Sequence, residues 1–245
     1  LIYTNPRLSV KELTQKYSQL MDLGYSSQMK PRIKTFRRKM ELIEKHAPRG
    51  RLLDIGCAAG YFLYVAQKKE WQIEGVEISK NLVKEAEELL NIKIKLGTLE
   101  DAQFPANHFD VVSMFDVFEH LPNPESALKE INRVMKPGGL LVINFPDFDS
   151  IFAKLMGRHW WLLLEDHLYY FTRKVLSEML KKYGFEVLFF KPHWQDLTLI
   201  YLTKLLNTFS PRLSNVLSAI VRIMHLEDIS LRYYAGQTTL IAEKV

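Results

Sequence analysis

The run RLLDIGCAAG at residues 51–60 is the feature that most constrains the fold of this chain. Its letters LLDI predict a short buried strand that contains Asp54, and a buried carboxylate is costly unless something binds it. Gly56 and Gly60 allow a ligand to approach the turn backbone, and the following letters YFLYVAQKK predict a helix with unpaired N–H groups at its start. The run therefore predicts a strand–turn–helix site for a nucleotide.

The spacing of the small residues in this turn narrows the kind of nucleotide. Positions 56, 58 and 60 are Gly, Ala and Gly, whereas the dinucleotide fingerprint is G-x-G-x-x-G. A nicotinamide-dependent oxidoreductase is therefore disfavoured.

Composition and charge set broader limits. With 245 residues, of which 47% are hydrophobic and 25% charged, the chain predicts one large domain or one domain with an elaboration. The net charge of +5 fits an acidic ligand or a membrane surface and requires neither. The lone cysteine, Cys57, suits a reducing compartment. Because no apolar run reaches about 18 residues, we expect no membrane-spanning helix and a cytoplasmic protein.

Further apolar segments follow the turn and alternate with helical patterns. They predict strands at residues 72–78, 92–96, 109–115, 140–145, 185–190 and 237–244. Helices are predicted to begin after the capping residues Ser79, Asn123 and Thr172. Strands that alternate with helices over short connections predict an α/β fold with a parallel, doubly wound sheet, which binds ligands at the carboxyl ends of its strands.

Polar side chains cluster at those predicted carboxyl ends. They are Asp54, Glu77, Glu100, Asp116 and His120. Glu77 ends the second predicted strand, 23 residues after Asp54, where folds of this kind place an acid on the two ribose hydroxyls. The coincidence of these positions predicts a single site.

Several segments share a family likeness in their order along the chain: LLDIGCAAG, VEIS, GTLEDAQFP, FDVVSMFDVFEHLPNP and RVMKPGGLLVINFP. They resemble the class I S-adenosylmethionine-dependent methyltransferases, and GRHWWLLLEDHLYYFT resembles a segment of the bacterial small-molecule subgroup related to ubiquinone O-methyltransferases. The resemblance implies a Rossmann-like, mostly parallel sheet of seven strands with an antiparallel last strand, and S-adenosylmethionine as the cofactor. Ala58 departs from the family, which often has glycine there, and its methyl group is tolerable if φ is negative.

The amino terminus has a second likeness. LIYTNPR resembles the segment that follows a small zinc knuckle in many of these proteins, and the knuckle is absent here. Since the sequence also begins at Leu1 without a methionine, we expect the natural protein, or a relative, to extend upstream.

The family resemblance also implies roles for individual residues. Asp54 is expected near the methionine amino group, and Glu77 on the ribose hydroxyls. The main-chain N–H of Leu99 is expected at the adenine, the main-chain carbonyl of Phe115 at the methionine ammonium, and Asp116 at the methyl group. The full set of predicted cofactor-binding residues is Asp54, Gly56, Cys57, Ala58, Gly60, Glu77, Ile78, Thr98, Leu99, Glu100, Phe115 and Asp116.

Transfer of a methyl group to a hydroxyl needs a base as well as in-line alignment. His120 and His167 are the predicted bases, with Asp166 placed to orient His167, and Asp116 completes the predicted catalytic set. A structural role is the alternative for either histidine. Asp116, Glu119 and His120 are an alternative set of divalent-cation ligands. Because no fourth ligand is evident in the sequence, we assign no metal site.

The remaining segments flank the predicted site. We expect residues 1–47 to form an N-terminal helical segment that covers the cofactor site, and residues 48–245 to form the methyltransferase domain. Residues 193–235 predict a helical insertion before the last strand, which is a lid, a dimer surface or a membrane-interface patch. Trp160 and Trp161 predict core packing, or one indole in an acceptor pocket.

Two helices are predicted before the first strand of the sheet, at residues 9–21 and 31–47. The second has an apolar face for the sheet and a basic face that we expect to be solvated, with contact to an anionic partner as the alternative. The basic residues are Lys34, Arg37, Arg38 and Lys39.

These expectations converge on an enzyme. The predicted function is transfer of a methyl group from S-adenosylmethionine to a small-molecule acceptor, at an oxygen of a sugar, a phenol or a lipid-linked precursor. The alternatives are a nucleic-acid or protein methyltransferase and a non-catalytic cofactor-binding module. No nucleic-acid partner is expected, because FDVFEH stands where base-modifying enzymes have Asn-Pro-Pro-aromatic. Peripheral membrane contact is assigned to residues 193–235, and monomer and homodimer both stay open.

Overall fold

The computed structural model describes residues 2–4, 12, 28–164, 166–208 and 210–245. The helix predicted at residues 9–21 lies almost entirely outside these ranges. The strands are β1 (Ile2–Tyr3), β2 (Arg51–Ile55), β3 (Gln72–Glu77), β4 (Lys95–Leu96), β5 (Phe109–Phe115), β6 (Met135–Pro146), β7 (Tyr169–Tyr170), β8 (Phe185–Thr198) and β9 (Ser230–Lys244). The helices are α1 (Met29–Ile43), α2 (Tyr61–Gln67), α3 (Lys80–Leu90), α4 (Pro124–Val134), α5 (Ile151–Met156), α6 (Arg173–Lys182), α7 (Leu199–Leu205) and α8 (Pro211–Ile223).

Seven of these strands form one sheet in the order β4-β3-β2-β5-β6-β9-β8. The strands from β4 to β6 are parallel, and β9 runs antiparallel to both of its neighbours, β6 and β8. This arrangement confirms the predicted α/β sheet and its antiparallel last strand. Strands β1 and β7 pair separately as a two-stranded antiparallel sheet.

Helix starts follow the capping residues that the sequence predicts. The side chains of Ser79, Asn123 and Thr172 accept hydrogen bonds from main-chain N–H groups in the first turns of α3, α4 and α6. These caps confirm the predicted starts, because they satisfy N–H groups that the helix itself leaves unpaired. The strand predicted at residues 92–96 is shorter in the structure, where it is β4, because only Lys95–Leu96 pairs with β3.

Helix α1 packs on the sheet through Phe36, Met40 and Ile43, as its apolar spacing predicts. The basic face is less solvated than predicted. Lys39 is buried, and its Nζ donates a hydrogen bond to Thr239 Oγ1 at 2.8 Å. Arg38 pairs with the buried Asp196 of β8. The expectation of a solvated face is therefore wrong for these two residues, because the prolonged β8 lies beside α1.

The carboxyl-terminal insertion differs from the prediction in its extent. Strand β8 continues to Thr198 and β9 begins at Ser230, so both ends of residues 193–235 are strand and not helix. Pairing continues past a register shift between Pro192 and Trp194, and the helices α7 and α8 connect the two strands at the far end. The other predicted domain boundaries stay predictions.

The two adjacent tryptophans have different surroundings. Trp160 is 2% exposed, contacts Phe148, and donates its indole N–H to the main-chain carbonyl of Ala235 at 2.9 Å. Trp161 is partly exposed and contacts Phe152. Neither lines the cavity described below. Core packing thus accounts for Trp160, which attaches the segment after β6 to β9.

Candidate active site

The carboxyl ends of β2, β3 and β5 open onto one cavity of about 550 Å³, which is also lined by α1 and β8. This volume falls in the usual range for sites that bind small molecules and cofactors. Every predicted cofactor-binding residue except Gly60 lines it. Gly60 lies at the amino-terminal cap of α2 with φ +77°, where an added Cβ would be 2.9 Å from Leu90 Cδ1.

Asp54 lies at the end of β2 and is 3% exposed. Its Oδ1 accepts a hydrogen bond from the hydroxyl of Ser113 at 2.6 Å. Burial raises the pKa of Asp54 to about 8, although the Ser113 hydrogen bond opposes this shift. Without a ligand, the Asp54 carboxyl is therefore neutral over much of the acidic range, and a cationic group in the cavity would favour its charged form.

We predict that Asp54→Asn changes the pH dependence of stability. The pKa rises from 3.8 to about 8 on folding, so the folded protein binds an extra proton between these values and loses stability as pH rises through them. The Asp54→Asn variant has no carboxyl at this position and therefore does not lose stability in this way as pH rises. The difference in free energy of unfolding between the variant and the parent should therefore grow between about pH 4 and 8, by on the order of 5 kcal/mol at most.

Urea unfolding of both ligand-free proteins at several pH values measures this difference. Asp149→Asn, at an exposed aspartate after β6, is the matched control and should leave the difference flat. A constant difference for Asp54→Asn as well would contradict the assignment of the raised pKa to burial.

Glu77 joins β3 to the glycine turn. Its Oε2 accepts the main-chain N–H of Ala58 at 2.9 Å, and its Oε1 accepts that of Ser79 at 2.8 Å. Burial raises the pKa of Glu77, and these two N–H groups oppose the shift. Each carboxylate oxygen has a second acceptor position, so the Glu77 side chain can also accept two hydroxyl hydrogen bonds from a ligand in the cavity.

The turn between β2 and α2 has left-handed backbone at positions 56, 58 and 60. Gly56 has φ +66°, and a Cβ there would lie 2.6 Å from Val117 Cγ2. Ala58 has φ +46°, so the condition under which its methyl group is tolerable, a negative φ, is not met. Ala58 therefore occupies a conformation that costs an L-residue with a side chain about 1–2 kcal/mol.

We predict that Ala58→Gly stabilises the protein. Glycine adopts the left-handed conformation without strain, which stabilises the folded protein. Because glycine also has more conformational freedom in the unfolded chain, part of this gain is lost, and the free energy of unfolding should rise by about 1 kcal/mol at most. The melting temperature should then rise by roughly 2–4 °C, which calorimetry measures. Ala59→Gly is the control, because the buried Ala59 has a negative φ and glycine there should lower the melting temperature.

The opposite rim of the cavity follows β4. The main-chain N–H and the hydroxyl of Thr98 donate to Asp101, while Leu99 is buried and Glu100 is exposed. Cys57 also lines the cavity, but burial raises the pKa of its thiol, so the thiol stays protonated and packs against Gly75. Packing inside the turn thus accounts for the buried thiol of Cys57.

Asp116 follows β5 with φ +57°, which is rare for a residue other than glycine. Its Oδ1 accepts hydrogen bonds from the amides of Asn144 and of Gln237, the latter at 2.6 Å. Burial raises the pKa of Asp116, and the charge of Arg32 opposes this. Asn144 and Gln237 were not predicted from the sequence, although the polar residue inside the apolar strand LLVINF is a visible signal for Asn144.

A wall of the cavity formed by α1 and β8 was also missed. It contains Arg32, Thr35, His193, Gln195 and Asp196. The buried carboxylate of Asp196 contacts Lys34 Nζ at 3.3 Å and accepts a hydrogen bond from Thr35 Oγ1 at 3.2 Å. Burial lowers the pKa of the neighbouring Lys39 to about 7. No sequence signal near β8 indicated this wall, because the segment was predicted to be helical.

The two predicted bases are neighbours with different access to the cavity. Their ring centroids lie 4.7 Å apart, but only His120 lines the cavity, and His167 is buried behind it. Nδ1 of His120 lies 2.8 Å from the main-chain carbonyl of Asp166, so Asp166 contacts His120 through its backbone. Burial, reinforced by His120, lowers the pKa of His167 to about 4.

The sequence was compared with models of protein families and with known proteins, and both comparisons find methyltransferases. A family model described as "Methyltransferase domain" matches residues 25–188. An uncharacterised protein of Methanocaldococcus jannaschii is 32% identical over 156 residues, which are 62% of this chain and 72% of that protein. The ubiquinone biosynthesis O-methyltransferase of Coxiella burnetii is 28% identical over 145 residues, which are 54% of this chain and 60% of that enzyme.

Solved structures share the fold. A SAM-dependent methyltransferase from Archaeoglobus fulgidus has a TM-score of 0.60 at 22% identity, covering 87% of this chain and 94% of that one. A putative methyltransferase in complex with the Haloferax volcanii Trm112 methyltransferase activator has a TM-score of 0.63 at 16% identity, covering 95% of this chain and 97% of that one.

The parallel sheet with its antiparallel last strand, and the acid-lined cavity at the strand ends, define a class I S-adenosylmethionine-dependent methyltransferase. The residues present fit that cofactor, because the buried Asp54 and Glu77 carboxyls both face the cavity beside a turn that has no room for a side chain at Gly56. Through the match over residues 25–188, this chain belongs to the methyltransferase-domain family.

Proposed function

We propose that this methyltransferase transfers the methyl group of S-adenosylmethionine to a hydroxyl oxygen of a small molecule. The observation that carries the proposal is the position of His120. It lines the same cavity as the cofactor-binding acids and interacts electrostatically with Asp116, which the family resemblance places at the methyl group. An imidazole at that end suits an acceptor that must lose a proton.

The cofactor supplies a methyl group on a cationic sulfur. Glu77 and the turn at Gly56 hold its nucleoside part, and Asp54 favours its ammonium group. Asp116, held by Asn144 and Gln237, orients the acceptor for in-line attack. Transfer would join the acceptor oxygen to the methyl carbon as the carbon–sulfur bond breaks with its electrons left on sulfur, and His120 would take the hydroxyl proton at its end of the cavity.

Transfer of tritium tests this function. The full chain is incubated with methyl-tritiated S-adenosylmethionine and a cell extract, and nucleic acid, protein and small molecules are then separated. Labelled small molecules are sorted into base-labile esters, base-stable ethers and amines. Label in ethers or phenolic ethers supports the proposal. Label only in nucleic acid or protein would favour the rival methyltransferases, and cofactor binding without label in any fraction would favour the non-catalytic module.

We further propose that the acceptor is lipid-linked and is met at an anionic membrane surface. Helix α8 exposes a row of apolar side chains at helical spacing: Leu213, Val216, Ile220, Ile223 and, at its end, Met224. Residues 197–226 contain no Asp or Glu, whereas Lys204, Arg212 and Arg222 are basic. An apolar face beside basic residues is the pattern of helices that lie in a membrane interface. No helix among the described residues is long and apolar enough to cross a membrane.

We predict that the protein co-floats with vesicles that contain anionic phospholipid, and less with neutral ones. The double variant Val216→Ser and Ile223→Ser should lose most of this binding, by about 10-fold or more, because it removes two apolar side chains worth roughly 1.5–3 kcal/mol each. Leu188→Ser and Ile151→Ser, at exposed apolar residues outside α8, form the control. Equal flotation of both double variants would contradict the proposal, and a change in oligomeric state alone would assign the face to a second copy.

A further inference from the structure

Three metal-ligating side chains converge beside the Asp116 end of the cavity. One ligand atom from each of Glu119, His120 and His167 lies within 4.8 Å of the other two. Glu119 and His120 belong to the 3-10 turn Phe118–His120 after β5, and His167 belongs to the loop before β7. The main-chain N–H of Leu168 donates to the carbonyl of Glu119 at 2.9 Å, so the two segments are attached to each other.

Polar atoms of Glu119 and His167 in this cluster are buried without partners among the described residues. Glu119 is 1% exposed, and neither of its carboxylate oxygens has a hydrogen-bond partner among the described residues. Nδ1 of His167, a residue 4% exposed, likewise has none in that part of the chain. Buried polar atoms without partners are rare in native proteins. A cation bound between these side chains would give each of them a partner.

The orientation of His120 fits the same explanation. Its Nδ1 lies 2.8 Å from the main-chain carbonyl of Asp166, and a carbonyl only accepts, so Nδ1 has the proton and Nε2 has the lone pair. Histidines that ligate metals usually donate their other ring N–H to a carboxylate or to a main-chain carbonyl. This contact therefore fixes the tautomer that a metal requires.

The surrounding charge also favours a cation. Asp116 and Asp166 both interact electrostatically with Glu119. A divalent ion between Glu119 and the two imidazoles would reduce the repulsion among these carboxyl groups when they are charged.

We propose that Glu119, His120 and His167 bind a divalent first-row transition metal, of which Zn²⁺ is the representative. Two imidazoles and one carboxylate suit such ions, whereas Mg²⁺ and Ca²⁺ take oxygen ligands. This set differs from the alternative in the sequence analysis, because His167 replaces Asp116. Three protein ligands leave a coordination position open, as in catalytic zinc sites, and His120 places the metal at the cavity wall.

The chemical consequence rests on the proposed function. The open position takes the acceptor hydroxyl oxygen, whose pKa a bound metal lowers, and its proton passes to solvent. His120 is then a metal ligand, and the metal takes over the activation of the acceptor that the proposed function assigns to the His120 imidazole.

Metal titration of the full chain, after chelator treatment, tests the site directly. Calorimetry should find one tight equivalent of Zn²⁺, and Co²⁺ should give the visible absorption of a four- or five-coordinate site with nitrogen ligands. Glu119→Gln and His167→Gln should each weaken Zn²⁺ binding by at least about two orders of magnitude, the upper end of what loss of an outer-shell partner costs. His108→Gln is the matched control, because His108 forms a partly exposed pair with Glu74 at 3.1 Å.

Binding of S-adenosylhomocysteine, measured for every variant, shows that each one folds and separates this inference from the proposed function. The inference is overturned if the parent binds the cofactor product but no stoichiometric Zn²⁺, or if His108→Gln loses as much Zn²⁺ affinity as Glu119→Gln. Stoichiometric Zn²⁺ binding without methyl transfer to any hydroxyl would keep the metal site and overturn only the proposed function.

Discussion

Replacement of Glu77 by glutamine should weaken binding of S-adenosylhomocysteine by about 100-fold or more, since the amide keeps at most one of the two hydrogen bonds to the ribose hydroxyls and loses the charge. A hydrogen bond to a charged group is worth about 1.5–3 kcal/mol. The carboxylate spans the main-chain N–H groups of Ala58 and Ser79 and presents its remaining acceptor positions to the cavity. Glutamine keeps one acceptor oxygen, and its NH₂ group would face one of those N–H groups.

Calorimetric titration with S-adenosylhomocysteine measures the effect. Glu74→Gln is the matched control, because Glu74 lies on the same strand but does not line the cavity. Thermal unfolding of both variants shows whether the turn survives. If a folded Glu77→Gln protein bound the cofactor product within threefold of the parent, the assignment of Glu77 to the ribose hydroxyls would be wrong.

Replacement of Asp116 by asparagine should lower methyl transfer by about 100-fold at saturating cofactor, since a charged hydrogen bond to the acceptor and its alignment are lost together. The carboxylate accepts from Asn144 and Gln237, and an asparagine would direct its own NH₂ group at one of these donors or at the acceptor. The affinity for S-adenosylhomocysteine should change much less, because Glu77 and the glycine turn stay intact.

Tritium transfer to the labelled acceptor fraction, with cofactor affinity measured in parallel, checks this prediction. Gln237→Leu leaves the Asp116 carboxylate but removes one donor, so it should reduce transfer by about 10-fold, in line with one hydrogen bond to a charged group. Asp149→Asn is the surface control. A loss of cofactor affinity as large as the loss of transfer would place Asp116 in cofactor binding alone.

The cofactor half of the site could be read from sequence because it is local. Asp54, Gly56 and Ala58 lie in one strand–turn segment, and Glu77 ends the adjacent strand, so hydrophobic periodicity and the strand-end rule bring them together. The conformation of Ala58 was not predictable in this way. A positive φ at an alanine results from the surrounding turn, which overrides the intrinsic preference of the residue.

The wall of the cavity formed by α1 and β8 was not predicted, for the opposite reason. The sequence predicts a strand that ends at Phe190, whereas β8 continues to Thr198. The register shift between Pro192 and Trp194 interrupts the alternation of side chains between the two faces of the sheet, by which a longer strand is recognised in sequence. The wall that contains His193 and Asp196 therefore fell in a segment predicted to be helical. The burial of Lys39 was not predicted either, because its partner Thr239 lies 200 residues away along the chain.

The sequence by itself determined the order of strands and helices, the acids at the strand ends and the cofactor that they suit, because these depend on residues that are close along the chain. Tertiary structure alone decided that Gln237 reaches Asp116 and that His167 lies against His120 behind a buried Glu119. Those contacts join segments far apart in sequence, and no local periodicity specifies which distant side chains the folded sheet and its loops bring into contact.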